Sequence, residues 1–506
     1  MKHVILILIF LPFFAMAQNV GIGTDIPAGK LHIKGTEDIS QLVVEANATQ
    51  SINKPLLVLS KGGTTYLSIN SDGPSNVFMG YLSGNANVTN SGNNITFIGG
   101  RAGMVNTTGH SNTAVGYASL LNNTTGYYLT AIGSGALSSN TTGRDNIAMG
   151  YNALASNRGK SGSIAIGNNA MSYSNNTVSN TYTGNIAIGM NALHGSFSPA
   201  NNTGSNNTAI GDYSMYAVTS GINNTALGVN TLYKNTNGHY NSAIGVQALY
   251  NNFSGLYNSA LGINALYTNV NNSYNTGIGY NALFGTTASD YNTAVGSQAG
   301  DSYNNSYNNV FVGANADVNG VGYFNVVAVG QGTVATGVSM ARFGNGATTS
   351  YGGYANWTNI SDGRFKSNVQ ENVPGLAFIN KLRPVTYNLD AMRLDAFLHK
   401  NDTPEKQAMA GKNIQHLQAL HEKEQITYTG FIAQEVEKTA KELGFDFSGV
   451  DNARNENDSY GLRYAEFVVP LVKAVQEQQQ LIDKQQEQIN LLIYEVQLLK
   501  AGIKRN

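Results

Sequence analysis

The chain contains no cysteine. Disulfides, thiolate metal sites and cysteine-linked lipid are therefore excluded. Charge is sparse too: only 12% of the 506 residues are Asp, Glu, Lys or Arg, and the formal net charge is -1. That balance gives no general attraction to nucleic acid or to an anionic membrane. Between Asn76 and Phe343 there is no glutamate, and the only aspartates are Asp145, Asp212, Asp290, Asp301 and Asp317. Glycan-cleaving β-helices need two carboxylates close together across the sugar bond. Counted from the nearest glycine of the repeat described below, the five lie at -5, +1, -6, +5 and +4, so no two share a register. Nor is there the G-G-x-G-x-D pattern of calcium-binding β-rolls. Catalysis in this stretch is disfavoured, and no cofactor or metal is expected.

Glycine and asparagine are abundant instead, with 57 glycines in the chain. They mark a repeat with the core N-x-A-[IVLM]-G-x-x-A-L, as in Asn241-Ser242-Ala243-Ile244-Gly245-Val246-Gln247-Ala248-Leu249. From Gly99 to Gly330 the central glycines recur every 17 residues, except for two intervals of 22 on either side of Gly189. Gly80, 19 residues before Gly99, starts the series. A fixed short period over so long a stretch signals a solenoid, in which each repeat buries its apolar face on its neighbours. Short apolar stretches separated by Asn, Gly, Ser and Thr predict two short strands and two turns per coil. The fixed glycine supplies a positive φ or permits close backbone approach. Tyr117, Tyr151, Tyr250, Tyr267 and Tyr280 could present an aromatic surface to glycans; packing ladders between coils are the favoured reading.

The repeat region is similar to the heads of trimeric bacterial adhesins, whose N-x-[AV]-[IV]-G motifs build trimeric left-handed β-rolls. It departs from them in its longer period. The resemblance concerns architecture more than function.

Residues 1–17 read as an export signal: Lys2 and His3, an apolar run from Val4 to Phe14, and Ala15-Met16-Ala17 as an A-x-A cleavage site. The run is too short to span a bilayer as a helix. Residues 18–75 form a β-rich N-terminal segment, and 76–345 the repeat shaft. A linker, 346–360, then leads into a region of different composition. Of the 59 charged residues, 38 lie from Asp362 onward. Residues 361–466 form an α+β domain, and 467–504 carry a heptad. In that heptad Val468, Val475, Ile482, Ile489, Val496 and Ile503 occupy one core position, and Leu471, Gln478, Gln485, Leu492 and Leu499 the other. Such a register predicts a coiled coil, and its two glutamines would set register or strand number at some cost in stability. β-Branched residues at the first position with leucine at the second lean toward two strands.

The junction between shaft and tail carries Ser361-Asp362-Gly363-Arg364-Phe365-Lys366. A serine and a desolvated lysine can act as nucleophile and base. Further along stand Leu382-Arg383-Pro384-Val385-Thr386-Tyr387, Gly430-Phe431-Ile432-Ala433-Gln434-Glu435-Val436 and Leu462-Arg463-Tyr464. With these four ordered motifs, the stretch from Ser361 resembles the peptidase S74 family, the intramolecular chaperone domain of phage endosialidases and tail spikes. The polar segment Met392 to Gln425 resembles an insertion. The resemblance implies a homotrimer whose tail guides folding of the β-structure upstream and then cuts itself off. It makes Ser361 the nucleophile, Lys366 the general base, and Asp362 and Arg364 supporting residues. The bland alternative places Ser361 as a helix cap and Lys366 as a solvated surface residue.

These observations predict a secreted or cell-surface fibre, mainly β, with a β-solenoid, an α+β chaperone domain and a C-terminal coiled coil. The expected partners are two further copies of the chain and a cell-surface glycan or protein receptor. Nucleic-acid binding and membrane insertion of the mature chain are not expected. The rival readings are an uncleaved binding fibre that keeps its coiled coil as a stalk, and a glycan-degrading spike.

Overall fold

A computed structural model describes residues 20–22, 31–33, 42 and 44, and 55–503 apart from 72, 74, 89, 90, 286, 303–305, 404, 405 and 408–412. The export signal at 1–17 lies outside the described residues.

Each repeat contributes one strand of three residues, such as Thr225–Leu227, Ser242–Ile244 and Ser259–Leu261. These strands pair in parallel without a shift, Ala226 on Ala243 and Ala243 on Ala260. The ladder opens with an antiparallel hairpin, Leu57–Lys61 on Thr64–Asn70, whose second strand pairs with Val77–Met79. It ends at Ala341–Phe343, which among the described residues pairs only with Val327–Val329, leaving the ladder open at that end.

The expectation of two strands per coil is corrected. Opposite the strand row most coils form turns, and among the described residues a second strand pair appears only at Asp317–Val318 and Val334–Ala335. The cause lies in the backbone. In the coil of Gly245, the glycine has φ +130°, Gln247 +58° and Leu249 +51°. Alternation of left-handed residues bends the chain before an extended run can form. Coil-to-coil hydrogen bonds persist nonetheless, as from the Leu249 N–H to the Ala265 carbonyl at 2.9 Å.

A Cβ on Gly245 would lie 2.4 Å from the carbonyl oxygen of Gly262, and the same clash recurs along the glycine row. Only glycine lets neighbouring coils approach to hydrogen-bonding distance there. Inside, the strand row contributes alanines such as Ala243 and Ala260, and the turn row alanine and leucine such as Ala248 and Leu249, all fully or almost fully buried. In the first two coils phenylalanine replaces the strand alanine, and the facing leucine gives way to glycine. A Cβ on Gly84 would lie 2.4 Å from Phe78, and one on Gly103 2.2 Å from Phe97. In these two coils the interior conserves volume, as close packing demands.

Two ladders of buried asparagine run through the shaft. The backbone N–H and side-chain Nδ2 of Asn258 both donate to Asn241 Oδ1, at 3.0 and 3.1 Å, and Nδ2 also donates to the Asn272 carbonyl at 2.8 Å. In the second ladder Asn123 Nδ2 donates to Asn106 Oδ1 at 2.7 Å, and Asn140 Nδ2 to Asn123 Oδ1 at 2.8 Å. These amides satisfy turns that would otherwise bury unpaired backbone groups.

The tyrosines divide between two environments. Tyr250 and Tyr267 stand in a stacked column, 5.2 Å between ring centroids, that continues to Tyr233 and Phe284. Tyr117, Tyr151 and Tyr280 project instead beside the strand row and are exposed.

The tail comprises short helices at Leu376–Ile379, Ala391–Leu398, Ile414–Glu424 and Ala433–Glu442, a two-stranded antiparallel sheet of Val385–Asn388 with Thr427–Gly430, and a helix of 36 residues, Val468–Ile503. Phe378, Val436, Ala440, Phe447 and Phe467 form its core. From Gln478 to Gly502 every residue of the long helix is exposed.

The exchange of volume between Phe97 and Gly103 can be tested directly. Phe97→Ala should destabilise the shaft by about 3–5 kcal/mol through the cavity it leaves. Phe97→Ala with Gly103→Leu, which restores the pairing used by most coils, should recover most of that loss. The denaturation midpoint of the shaft, followed by circular dichroism, is the measurement.

Candidate functional site

The shaft is joined to the tail by an exposed stretch without helix or strand, in which Trp357 is 92% and Ile360 91% exposed. Order begins at the hexapeptide. Asp362 caps a single 3-10 turn, Gly363–Phe365, its Oδ1 accepting from the Arg364 N–H at 2.9 Å. Its Oδ2 accepts from Arg364 Nε at 2.9 Å and Nη2 at 2.6 Å. The hydrogen bonds from Arg364 hold the Asp362 carboxyl below the usual carboxylate range and raise the Arg364 guanidinium in turn. The pair is solvated, so its contribution is geometric rather than energetic.

The turn closes with the Lys366 N–H donating to the Gly363 carbonyl at 3.2 Å. Lys366 thereby folds back, and its Nζ donates to Ser361 Oγ at 2.8 Å. The turn brings together the candidate nucleophile Ser361 and candidate base Lys366, and Asp362 and Arg364 form its brace. The helix-cap reading of Ser361 is not what the structure shows, because Asp362 is the cap. Ser361 and Lys366 are both exposed. As a base the lysine has to accept a proton from the hydroxyl, the reverse of the donation seen here.

The other three motifs converge on one another. Val385 pairs with Gly430 in the antiparallel sheet. Arg383 donates to both carboxylate oxygens of Glu435, from Nε at 3.0 Å and Nη2 at 2.5 Å. Tyr464 Oη accepts from the Phe431 N–H at 3.1 Å, and a Cβ on Gly430 would lie 2.2 Å from that hydroxyl. Arg463 donates to Asp451 Oδ1 at 2.6 Å and to the Ser448 carbonyl at 2.8 Å. These motifs build the tail's scaffold. Among the described residues, no side-chain hydrogen bond or ion pair joins them to the turn at 361–366.

One constellation gave no signal in the sequence. Lys406, in the insertion-like segment, reaches the end of the shaft and places Nζ between Asp301 and Asp317, 3.2 Å from Asp317 Oδ2 and in contact with Asp301 Oδ1. The register count that kept the shaft aspartates apart is therefore incomplete. Positions +5 and +4 of successive coils do not stack, yet one long side chain spans both. Burial, with the like charge of Asp317, pushes the Asp301 carboxyl up to about 6 against the pull of Lys406. Burial also opposes the Lys406 ammonium, but Asp317 and Asp301 outweigh it and hold the lysine above its usual range. One lysine offsets only one of the two negative charges, but it holds both carboxylates, so neither is left without a partner.

No curated protein matches the chain. Residues 361–445 match the Peptidase_S74 family, chaperone of endosialidase. The match begins at Ser361 and takes in the hexapeptide, the Arg383 motif and the Glu435 motif. It implies a fibre or spike protein with a C-terminal autoprocessing chaperone. The chain is thus a β-solenoid followed by a Peptidase_S74 chaperone domain at 361–445 and a long C-terminal helix.

Proposed function

We propose that the protein is an exported, homotrimeric fibre of adhesin-like, structural role, whose tail assists assembly of the shaft and then severs the chain at Ser361. The observation that carries this reading is the 2.8 Å contact between Ser361 and Lys366 at the first residues of the matched domain, beside an exposed linker. In the proposed reaction Lys366 takes the hydroxyl proton and Ser361 Oγ attacks a peptide carbonyl. The C–N bond breaks, the released amine takes up a proton, and water then hydrolyses the ester. Attack on the Ile360 carbonyl closes a five-membered ring, and attack between chains is equally open; attack on the serine's own carbonyl closes a strained four-membered ring. No external substrate is turned over.

Two unpartnered surfaces support the trimer. Leu227, Val229, Ile244, Val246, Leu261 and Ile263 form an exposed apolar stripe along the strand row. Ile482, Ile489, Leu492, Val496 and Leu499 are likewise exposed on the terminal helix. A stripe of this length is unusual on a monomer. Association along both would align three chains before their coils close, making slow, non-local pairing effectively intramolecular. It would also desolvate the lysine, so that scission follows assembly. The exported location rests on residues 1–17. The repetitive shaft with its exposed tyrosines supports an adhesive surface, for which a cell-surface glycan or protein is the proposed receptor.

Three experiments test this reading. Intact mass of the folded wild type should show two pieces split near Ser361, while Ser361→Ala and Lys366→Ala remain whole or are cut at least about 10²-fold more slowly. A folded wild type that stays whole would leave a fibre with a permanent stalk. Asp362→Ala should release the turn and slow scission by roughly 10²-fold through misplacement of the lysine, without change in the circular dichroism of the shaft. Ile244→Asp with Leu261→Asp, two exposed positions, should leave each coil folded but lower the mass measured by light scattering from three chains toward one.

A further inference from the structure

The shaft and the tail are joined by more than the linker. We infer that the end of the shaft with the first linker residues, at 301, 302 and 317–348, is a docking surface for the chain's own tail, with Lys406 as an ionic latch that retains the tail after the chain is severed. Every contact concerned pairs a residue before Ser361 with one after it. Lys406 Nζ donates to Asp301, to Ser302 Oγ at 2.6 Å and to Asp317 Oδ2 at 3.2 Å. The three charged side chains are only 6%, 10% and 7% exposed for Lys406, Asp301 and Asp317. Thr336 Oγ1 donates to Asp458 Oδ1 at 2.5 Å, and Arg454 Nη1 to the Val338 carbonyl at 2.7 Å. Lys423 Nζ donates to the carbonyls of Gly346 and Thr348 at 2.8 and 2.7 Å. Residues 352–360, by contrast, make no side-chain hydrogen bond among the described residues, and all are exposed.

Scission at 361 therefore removes a tether and none of these contacts. The interface is polar, so each surface can be wetted, and the cut turns docking into a bimolecular equilibrium set by its strongest element. That element is the latch. Without Lys406, two carboxylates would face one another in a nearly dry site, whereas rim hydrogen bonds exchange with water at little cost. Retention also has a structural consequence: the tail stays in contact with the last coils near the open end of the ladder, where an exposed strand edge invites wrong pairing.

The biological meaning of the latch rests on self-cleavage at Ser361, but the docking does not, and the test separates the two. Full-length protein carrying Ser361→Ala receives a site-specific protease sequence within 352–360. It is cut to completion, as judged on a denaturing gel, and run by native size exclusion at neutral pH. The pieces should co-elute. With Lys406→Glu added, retention should weaken by roughly 10²- to 10³-fold and the tail should elute alone. Lys438→Glu, the same charge change at an exposed position on the helix Ala433–Glu442, should leave co-elution intact. Circular dichroism of each uncut variant reports folding. Separation of the wild-type pieces overturns the docking surface, and co-elution of the Lys406→Glu pieces overturns the latch. Because the dyad is silenced throughout, failure of self-cleavage would appear only in the intact-mass experiment.

Discussion

A coil in this shaft cannot complete its own interior, since much of what it buries is satisfied by the coil before or after it. The glycine row shows how tight that dependence is. With a Cβ on Gly245 only 2.4 Å from the Gly262 carbonyl, the spacing that allows strand pairing is available to glycine alone. The asparagine ladders extend the same logic to side chains: Asn241 Oδ1 accepts from Asn258, and Asn258 Oδ1 accepts from the Asn275 N–H. A coil displaced by one residue would lose all these partners together. The register is therefore enforced by many small interactions that are correct only jointly.

The same dependence makes the ends vulnerable. At the N-terminal side the first coil is covered by an antiparallel hairpin, Leu57–Lys61 with Thr64–Asn70. At the other side the ladder ends at Ala341–Phe343, and the tail reaches that region through Lys423, Arg454 and Asp458. A domain that covers the growing end of a parallel ladder is well placed to favour correct pairing, because such ladders are slow to form and their edges are promiscuous.

On the function proposed for it, the Ser361 turn would let reactivity wait for assembly. Asp362 and Arg364 hold the two groups at hydrogen-bonding distance within a single chain, so the geometry requires no partner. What the isolated chain does not supply is a dry surrounding. Position and solvation are thus separable: a local turn sets the first, and burial between subunits would set the second.

Features that repeat, or that lie within a few residues of one another, were legible in the chain itself. The period of the glycines, the heptad of the last helix and the Ser361-to-Lys366 spacing are local patterns, and each records a physical constraint every time it recurs. The left-handed residues at positions such as Gln247 and Leu249 were not legible, because neither residue prefers that conformation; the coil-to-coil hydrogen bonds impose it. For the same reason two predicted strands per coil became one. The tyrosines divide by their place in the repeat, five residues after the glycine for Tyr250 and one after it for Tyr280, but that the first place builds a stacked column and the second stays exposed was hidden until the coils were stacked. Lys406 was the least legible of all. It meets Asp301 across 105 residues of chain, a contact made once, with no period to announce it. Local repetition leaves its trace in sequence, whereas a single long-range ion cluster exists only once two differently built domains have folded against each other.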